Sequence, residues 1–177
     1  MRVHLNIGGN LADPLSNINR AISFLSEWPG LVEGERRVSR PIESEPWGFD
    51  SVNRFVNVGM SFESVMAPYE ILAATQAVER RISAAAHRNR DGSYADRLID
   101  IDIIFIGGLV VGNGSSGGDW ENSLCVCNCR LTVPHRLAHL REFVLAPMAE
   151  IDPLWRHPLI GLTASEMLGR LSGRQLG

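Results

Sequence analysis

The stretch Asp96-Arg97-Leu98-Ile99-Asp100-Ile101-Asp102-Ile103-Ile104-Phe105 decides how this chain folds. It is rich in β-branched residues, holds neither Pro nor Gly, and predicts a strand. Side chains alternate along a strand, which puts Leu98, Asp100, Asp102 and Ile104 on one face and Ile99, Ile101, Ile103 and Phe105 on the other. Two carboxylates then stand side by side, their Cα atoms about 6.5–7 Å apart, in a segment apolar enough to lie at a sheet centre. Unpaired charge in such surroundings is costly, so a cation is expected over the pair. Oxygen ligands on a rigid support suit Mg²⁺, which takes one or two carboxylates and fills its shell with water and phosphate oxygens. Acids at a strand end that meet solvent or an arginine would present the same pattern.

Working outward, Val3, Leu5 and Ile7 alternate with His4 and Asn6 in a first strand that ends at Gly8-Gly9-Asn10. Asp13-Pro14 reads as a helix N-cap with proline in the first turn, and Trp28-Pro29-Gly30 stops that helix. Residues 36–43 predict a second strand. Arg54 to Phe62 predict a third, with Val56, Val58, Met60 and Phe62 facing one way and Phe55, Asn57, Gly59 and Ser61 the other. Pro68 opens a second helix whose inner stripe is Ile71, Leu72, Thr75, Val78 and Ile82, with Gln76 and Glu79 on a neighbouring stripe. The order βαββαβ is the split-βαβ, ferredoxin-like arrangement: an antiparallel sheet with both helices on one face and the first and last strands adjacent near its centre. Beyond Gly107 the pattern predicts a Gly/Ser-rich segment, a short extended piece ending in Pro134-His135, a helix over 141–150 and a last helix opened by the capping-box spacing Thr163 to Glu166.

Composition narrows the chemistry. At 177 residues with 45% hydrophobic content, a single globular α+β domain spanning 1–177 is expected. A net charge of -3 argues against general nucleic-acid or membrane-surface binding. No run reaches transmembrane length, and the first residues alternate rather than form a signal peptide's apolar block. The three cysteines Cys125, Cys127 and Cys129 are too close together and too few for a secreted disulfide framework, so the cytoplasm is the expected compartment. Their spacing suits buried thiols better than a structural metal site. All 17 basic residues are Arg. The absence of lysine removes the Walker phosphate loop and Schiff-base chemistry, so any phosphate must be held by arginine, histidine, backbone N–H groups or metal.

Phe55 and Asn57, an aromatic and an amide on the non-core face of a strand, suit a flat heteroaromatic ligand, though a partly solvated face would read alike. Trp47, between Pro46 and Gly48, is either a lid or a loop anchor. His135 and Arg141, with Arg88, Arg90, Arg97 and Arg130, could together neutralise a polyphosphate, although singly each would pass for a solvated side chain.

Taken together, these residues resemble the 6-hydroxymethyl-7,8-dihydropterin pyrophosphokinase family of the folate pathway. The resemblance runs through Gly8-Gly9-Asn10-Leu11, Glu45-Pro46-Trp47-Gly48, Phe55-Val56-Asn57, Gln76 with Glu79, and Arg97-Leu98-Ile99-Asp100-Ile101-Asp102-Ile103. It continues through Leu131-Thr132-Val133-Pro134-His135 and Arg141-Glu142-Phe143-Val144-Leu145-Ala146-Pro147-Met148. It implies an αβα domain that moves pyrophosphate from ATP to the hydroxymethyl group of the dihydropterin and releases AMP. By the same resemblance, Asp100 and Asp102 would hold two Mg²⁺ ions, with Arg97 and Arg141 assisting the transfer. Gln76, Glu79, Arg88, Arg90, Arg97, Ile103, Arg130, Thr132, His135 and Arg141 fall where the family binds ATP. Phe55 and Phe143 would sandwich the pterin, and Ser44, Pro46, Trp47, Gly48 and Asn57 would surround its edge. A monomer is expected, with residues 112–129 as an insertion. Two rivals stay open on the residues alone: another metal-dependent phosphoryl or nucleotidyl transferase, and a catalytically silent ligand-sensing module.

Overall fold

Local capping and alternation account for most elements of the computed structural model, which describes residues 1–32, 34–83, 95–112 and 131–174. Arg2–Gly9 is β1, Pro14–Ser26 α1, Arg37–Val38 β2, Ile42–Ser44 β3, Phe55–Glu63 β4, Pro68–Ile82 α2 and Asp100–Ile106 β5. Glu142–Ile151 and Ala164–Arg174 follow as α3 and α4. Asp13 caps α1 by accepting from the Ser16 N–H at 3.0 Å. The predicted capping box opens α4: the Thr163 N–H donates to the Glu166 carboxylate at 2.7 Å, and the Glu166 N–H to Thr163 Oγ1 at 3.2 Å.

The antiparallel sheet runs β2-β4-β1-β5, with β3 also paired to β4. This is the expected βαββαβ order of an α+β fold, with C-terminal helices added. Val3, Leu5 and Ile7 of β1 pack with Val58, Met60 and Phe62 of β4 beneath α1 and α2. On the other face Phe105 packs with Val144, Leu145 and Met148 of α3 and Met167 of α4.

Three details differ from the sequence reading. The second strand is two short pieces. Between them Ser39 folds back on Gly59, its N–H donating to the Gly59 carbonyl and its hydroxyl accepting from the Gly59 N–H, each at 2.9 Å. Pro41 follows and has no N–H to continue a ladder. Secondly, β5 ends the strand path instead of lying at its centre. It is apolar because both faces are covered. Its outer edge is occupied too: the Ile101 N–H donates to Glu79 Oε1 at 2.7 Å, and the His135 N–H to the Ile104 carbonyl at 2.9 Å. Thirdly, the alternation breaks. Leu5 pairs with Ile103 and His4 with Phe105, which leaves Ile104 as the extra residue of a β-bulge. Phe105 therefore joins the face of Asp100 and Asp102. There it stacks on Trp155 with centroids 4.3 Å apart and on His4 at 5.5 Å.

Only part of that second face is covered. A Cβ on Gly59 would lie 2.9 Å from Pro147 Cβ, so glycine is what lets α3 lie close on β4. Beyond Gly59, toward Asn57 and Gly8, the sheet opens into a cavity.

Candidate active site

Register builds the cavity floor. Gly8 is paired with Asn57 on one side and Asp100 on the other, and Asn6 with Gly59 and Asp102. Directly paired residues share a face, so these two rungs bring both aspartates, Asn6 and Asn57 onto one surface. A Cβ on Gly8 would come within 2.8 Å of Asn57 Oδ1, so the bare backbone there is what makes room for the amide. Asn57 Nδ2 donates to Ser44 Oγ at 3.1 Å, which fixes its orientation from the neighbouring strand.

Around this floor lies a cavity of about 190 Å³ with a mixed aromatic and charged lining. Ser44, Glu45, Trp47, Phe49 and Phe55 line it together with Arg97, His135, Arg141 and Phe143, and the Arg97 guanidinium carbon lies 5.7 Å from the Phe55 ring centroid. Phe49 meets Phe55 edge-on, with centroids 6.1 Å apart. Arg97 Nη1 lies 2.6 Å from Asp100 Oδ2, and Arg141 Nη1 3.9 Å from Asp102 Oδ2. Each aspartate thus has its own guanidinium. Arg141 is only 6% exposed. Its guanidinium carbon lies 4.4 Å from the Trp47 ring centroid and 5.7 Å from that of Phe143, and aromatic faces stabilise a partly desolvated cation. Burial, reinforced by the Arg141 charge, lowers the His135 imidazole to about 4, so the ring is neutral near pH 7. Its Nδ1 accepts from the Leu137 N–H at 3.3 Å, which leaves the ring proton on Nε2.

Ten of the sequence-predicted residues line this cavity: Ser44, Trp47, Phe55, Asn57, Arg97, Asp100, Asp102, His135, Arg141 and Phe143. Pro46 and Gly48 flank Trp47 in the loop without lining it. Gln76 and Thr132 are half-buried away from the cavity, Glu79 is bonded to the Ile101 N–H, and Ile103 sits in the core. Arg88, Arg90 and Arg130 lie outside the described residues, as do Cys125, Cys127 and Cys129. The cavity also uses Asn6, Gly8, Glu45 and Phe49, which sequence reasoning did not place in it. Alternation with Val3, Leu5 and Ile7 carried the signal for Asn6 and Gly8; for Phe49, a lone loop aromatic, there was none.

The donor set can be tested against a metal. Among the described residues no group of three or more His, Cys, Asp or Glu side chains could hold an ion. Among the described residues the floor offers two carboxylates, Asp100 and Asp102, too few for a closed structural site but suited to Mg²⁺, which keeps its remaining positions for water and phosphate.

Comparison with known proteins agrees with this geometry. The sequence profile of the family described as 7,8-dihydro-6-hydroxymethylpterin-pyrophosphokinase (HPPK) matches residues 4–153. The 2-amino-4-hydroxy-6-hydroxymethyldihydropteridine pyrophosphokinase of Porphyromonas gingivalis is 34% identical over 158 residues, covering 88% of this chain and 93% of the relative. The enzyme of the same name from Methylorubrum extorquens is 29% identical over 152 residues, covering 86% and 83%. Among solved structures, wild-type Plasmodium falciparum HPPK-DHPS superposes with a TM-score of 0.70 at 13% identity, covering 98% of this chain and 41% of that one, a likeness of fold alone. The activity shared along the sequence is pyrophosphoryl transfer to hydroxymethyldihydropterin in folate biosynthesis, and this chain is an enzyme of that kind. Matched from its first strand to the end of α3, the chain belongs to the 7,8-dihydro-6-hydroxymethylpterin-pyrophosphokinase family.

Proposed function

We propose that the cavity floor is where pyrophosphate passes from ATP to the pterin's hydroxymethyl group. The reading rests on a single observation: Asp100 and Asp102 share a floor, each beside its own arginine, in a cavity that Phe55 and Phe143 also line. Phe55 and Phe143 would stack on the pterin, while Asn57, oriented by Ser44, and the loop carrying Pro46, Trp47 and Gly48 would hold its edge. The triphosphate would lie along Arg97, His135 and Arg141, with Gln76, Glu79, Ile103, Thr132, Arg88, Arg90 and Arg130 as the resemblance assigns them.

In the transfer, the hydroxymethyl oxygen forms a bond to the β-phosphorus as the bond from that phosphorus to the bridging oxygen of AMP breaks. The hydroxyl proton leaves to solvent. Alignment and charge dispersal matter more here than a strong base. Arg97 and Arg141 stand where negative charge spreads, and neutral His135 adds an N–H donor without a competing charge. Asp100 and Asp102 would hold two Mg²⁺ ions, which supply Lewis-acid neutralisation of the phosphate oxygens when bound. A single domain over 1–177 working as a cytoplasmic monomer completes the proposal. No helix among the described residues is long and apolar enough to cross a membrane.

Supplied with ATP, Mg²⁺ and reduced hydroxymethylpterin, the enzyme should produce AMP; production of ADP instead would overturn the assignment. Asp102→Ala should lower AMP formation by about 10²–10³-fold or more while leaving pterin affinity nearly intact. Retained turnover would remove Asp102 from the metal site.

A further inference from the structure

In the transfer, Trp47 has only a place in the loop at the pterin's edge, and its indole has no task. Its ring centroid lies 4.4 Å from the guanidinium carbon of Arg141, inside the range over which an indole face attracts a cation. Arg141 is buried, and a guanidinium held away from water needs its charge met from within the protein. Asp102 contributes, but its nearest oxygen is 3.9 Å away. At that length the pair attracts without the directional hold of a hydrogen bond. Aromatic faces supply direction, because a planar, weakly hydrated guanidinium stacks on them. Phe143, two residues along the chain, places its ring centroid 5.7 Å from the same carbon. Trp47 comes closer, and it comes from a different element, the loop between β3 and β4.

The backbone on either side restrains Trp47. Pro46 fixes the chain entering it, and Gly48, at φ +81°, turns the chain leaving it through the left-handed region that favours glycine. Trp47 is also 40% exposed, too open for a side chain that anchors its loop in a core. A large aromatic held in this way beside a buried cation acts as a platform for that cation. Charge dispersal depends on donors whose orientation is set before the substrate arrives. We infer that Trp47 is a positioning residue at the triphosphate end of the site, its indole face setting the orientation in which Arg141 meets phosphate. The inference rests on the triphosphate reading of Arg141, and it gives the loop at the pterin's edge a hold on the arginine that serves the other substrate.

The test uses the full chain with saturating Mg²⁺ and no pterin, so that pterin contacts contribute nothing, and reads binding of α,β-methylene ATP by titration calorimetry. Trp47→Leu, which removes the π face and keeps apolar bulk, should weaken the nucleotide about fivefold. Trp47→Phe, which restores a face, should stay within about twofold of the parent. In an Arg141→Met background the effect of Trp47→Leu should vanish, because the cation it acts through is gone. Arg141→Gln serves in the same way if Arg141→Met does not fold. A loss below about twofold in Trp47→Leu would overturn the inference. An equal loss in Trp47→Phe would do the same, as would a Trp47→Leu effect that persists without Arg141, which would assign Trp47 to the structure of its loop. Arg141→Met alone separates the two layers. If it leaves nucleotide affinity unaltered, the triphosphate reading of Arg141 fails and the inference with it; if it weakens the nucleotide and Trp47→Leu does not, only the role of Trp47 falls.

Discussion

Asp96 accepts from Asn10 Nδ2 at 2.7 Å and from Asn53 Nδ2 at 2.9 Å, and Asn10 Oδ1 in turn takes the Arg97 N–H at 2.8 Å. Three loops meet at this carboxylate: the end of β1, the approach to β4 and the approach to β5. The Ser51 hydroxyl, then the two asparagine amides and the Arg97 charge, hold it below the usual carboxylate range. Arg97 reaches Asp100 because this hub anchors its backbone. Asp96→Ala would remove an acceptor from both asparagine amides and should cost about 0.5–1.5 kcal/mol in urea unfolding, with a fall in turnover as Arg97 loses its anchor; unchanged stability and turnover would contradict the role. The aspartate pair and Arg97 were legible because they sit within one short stretch. Asn10 and Asp96 are 86 residues apart, and nothing local marks them as partners.

At the scale of elements, caps and periods were legible because their causes are local. Asp13, Pro68 and the Thr163–Glu166 box announce helix starts wherever the chain goes. The division of β4 into a core face and a site face follows from alternation alone and is what the structure shows. The strand-path position of β5, the break at Ser39 and the bulge at Ile104 depend on tertiary neighbours and left no local trace. Gly59 joins the two kinds. Its place in an alternating strand was plain, but its reason is Pro147 of α3, across the sheet face. Gly59→Ala should push α3 outward and cost about 1–3 kcal/mol by overpacking, read as a lowered thermal midpoint; a variant as stable as the parent would show that α3 yields freely.

Across the whole molecule, buried histidines tie stability to pH. His157 is 1% exposed, and its Nδ1 accepts from the Leu159 and Ile160 N–H groups at 3.2 and 3.3 Å. Burial lowers its pKa from 6.5 to about 4, with the His139 charge adding to the shift. Burial likewise holds His4 below its ordinary value, outweighing the pull of Asp152. Below an unfolded pKa near 6.5 the unfolded chain takes up protons that the folded chain refuses, so stability is full above that pH and falls as pH drops toward about 4. The thermal midpoint should decline steadily over that window, and His157→Asn, which keeps an acceptor but cannot titrate, should flatten the slope. An equally steep slope in that variant would move the effect to other groups. A different constraint comes from the bulge in β5, which acts as a phase shifter. Upstream of it, odd-numbered residues enter the α1/α2 core and even-numbered ones face the site; downstream the parity is exchanged. One residue gained or lost between Asp100 and Phe105 would trade a carboxylate for a core side chain. Within β5 no residue can be added or lost without that exchange; past Ile106 the strand has ended and no count remains to be kept.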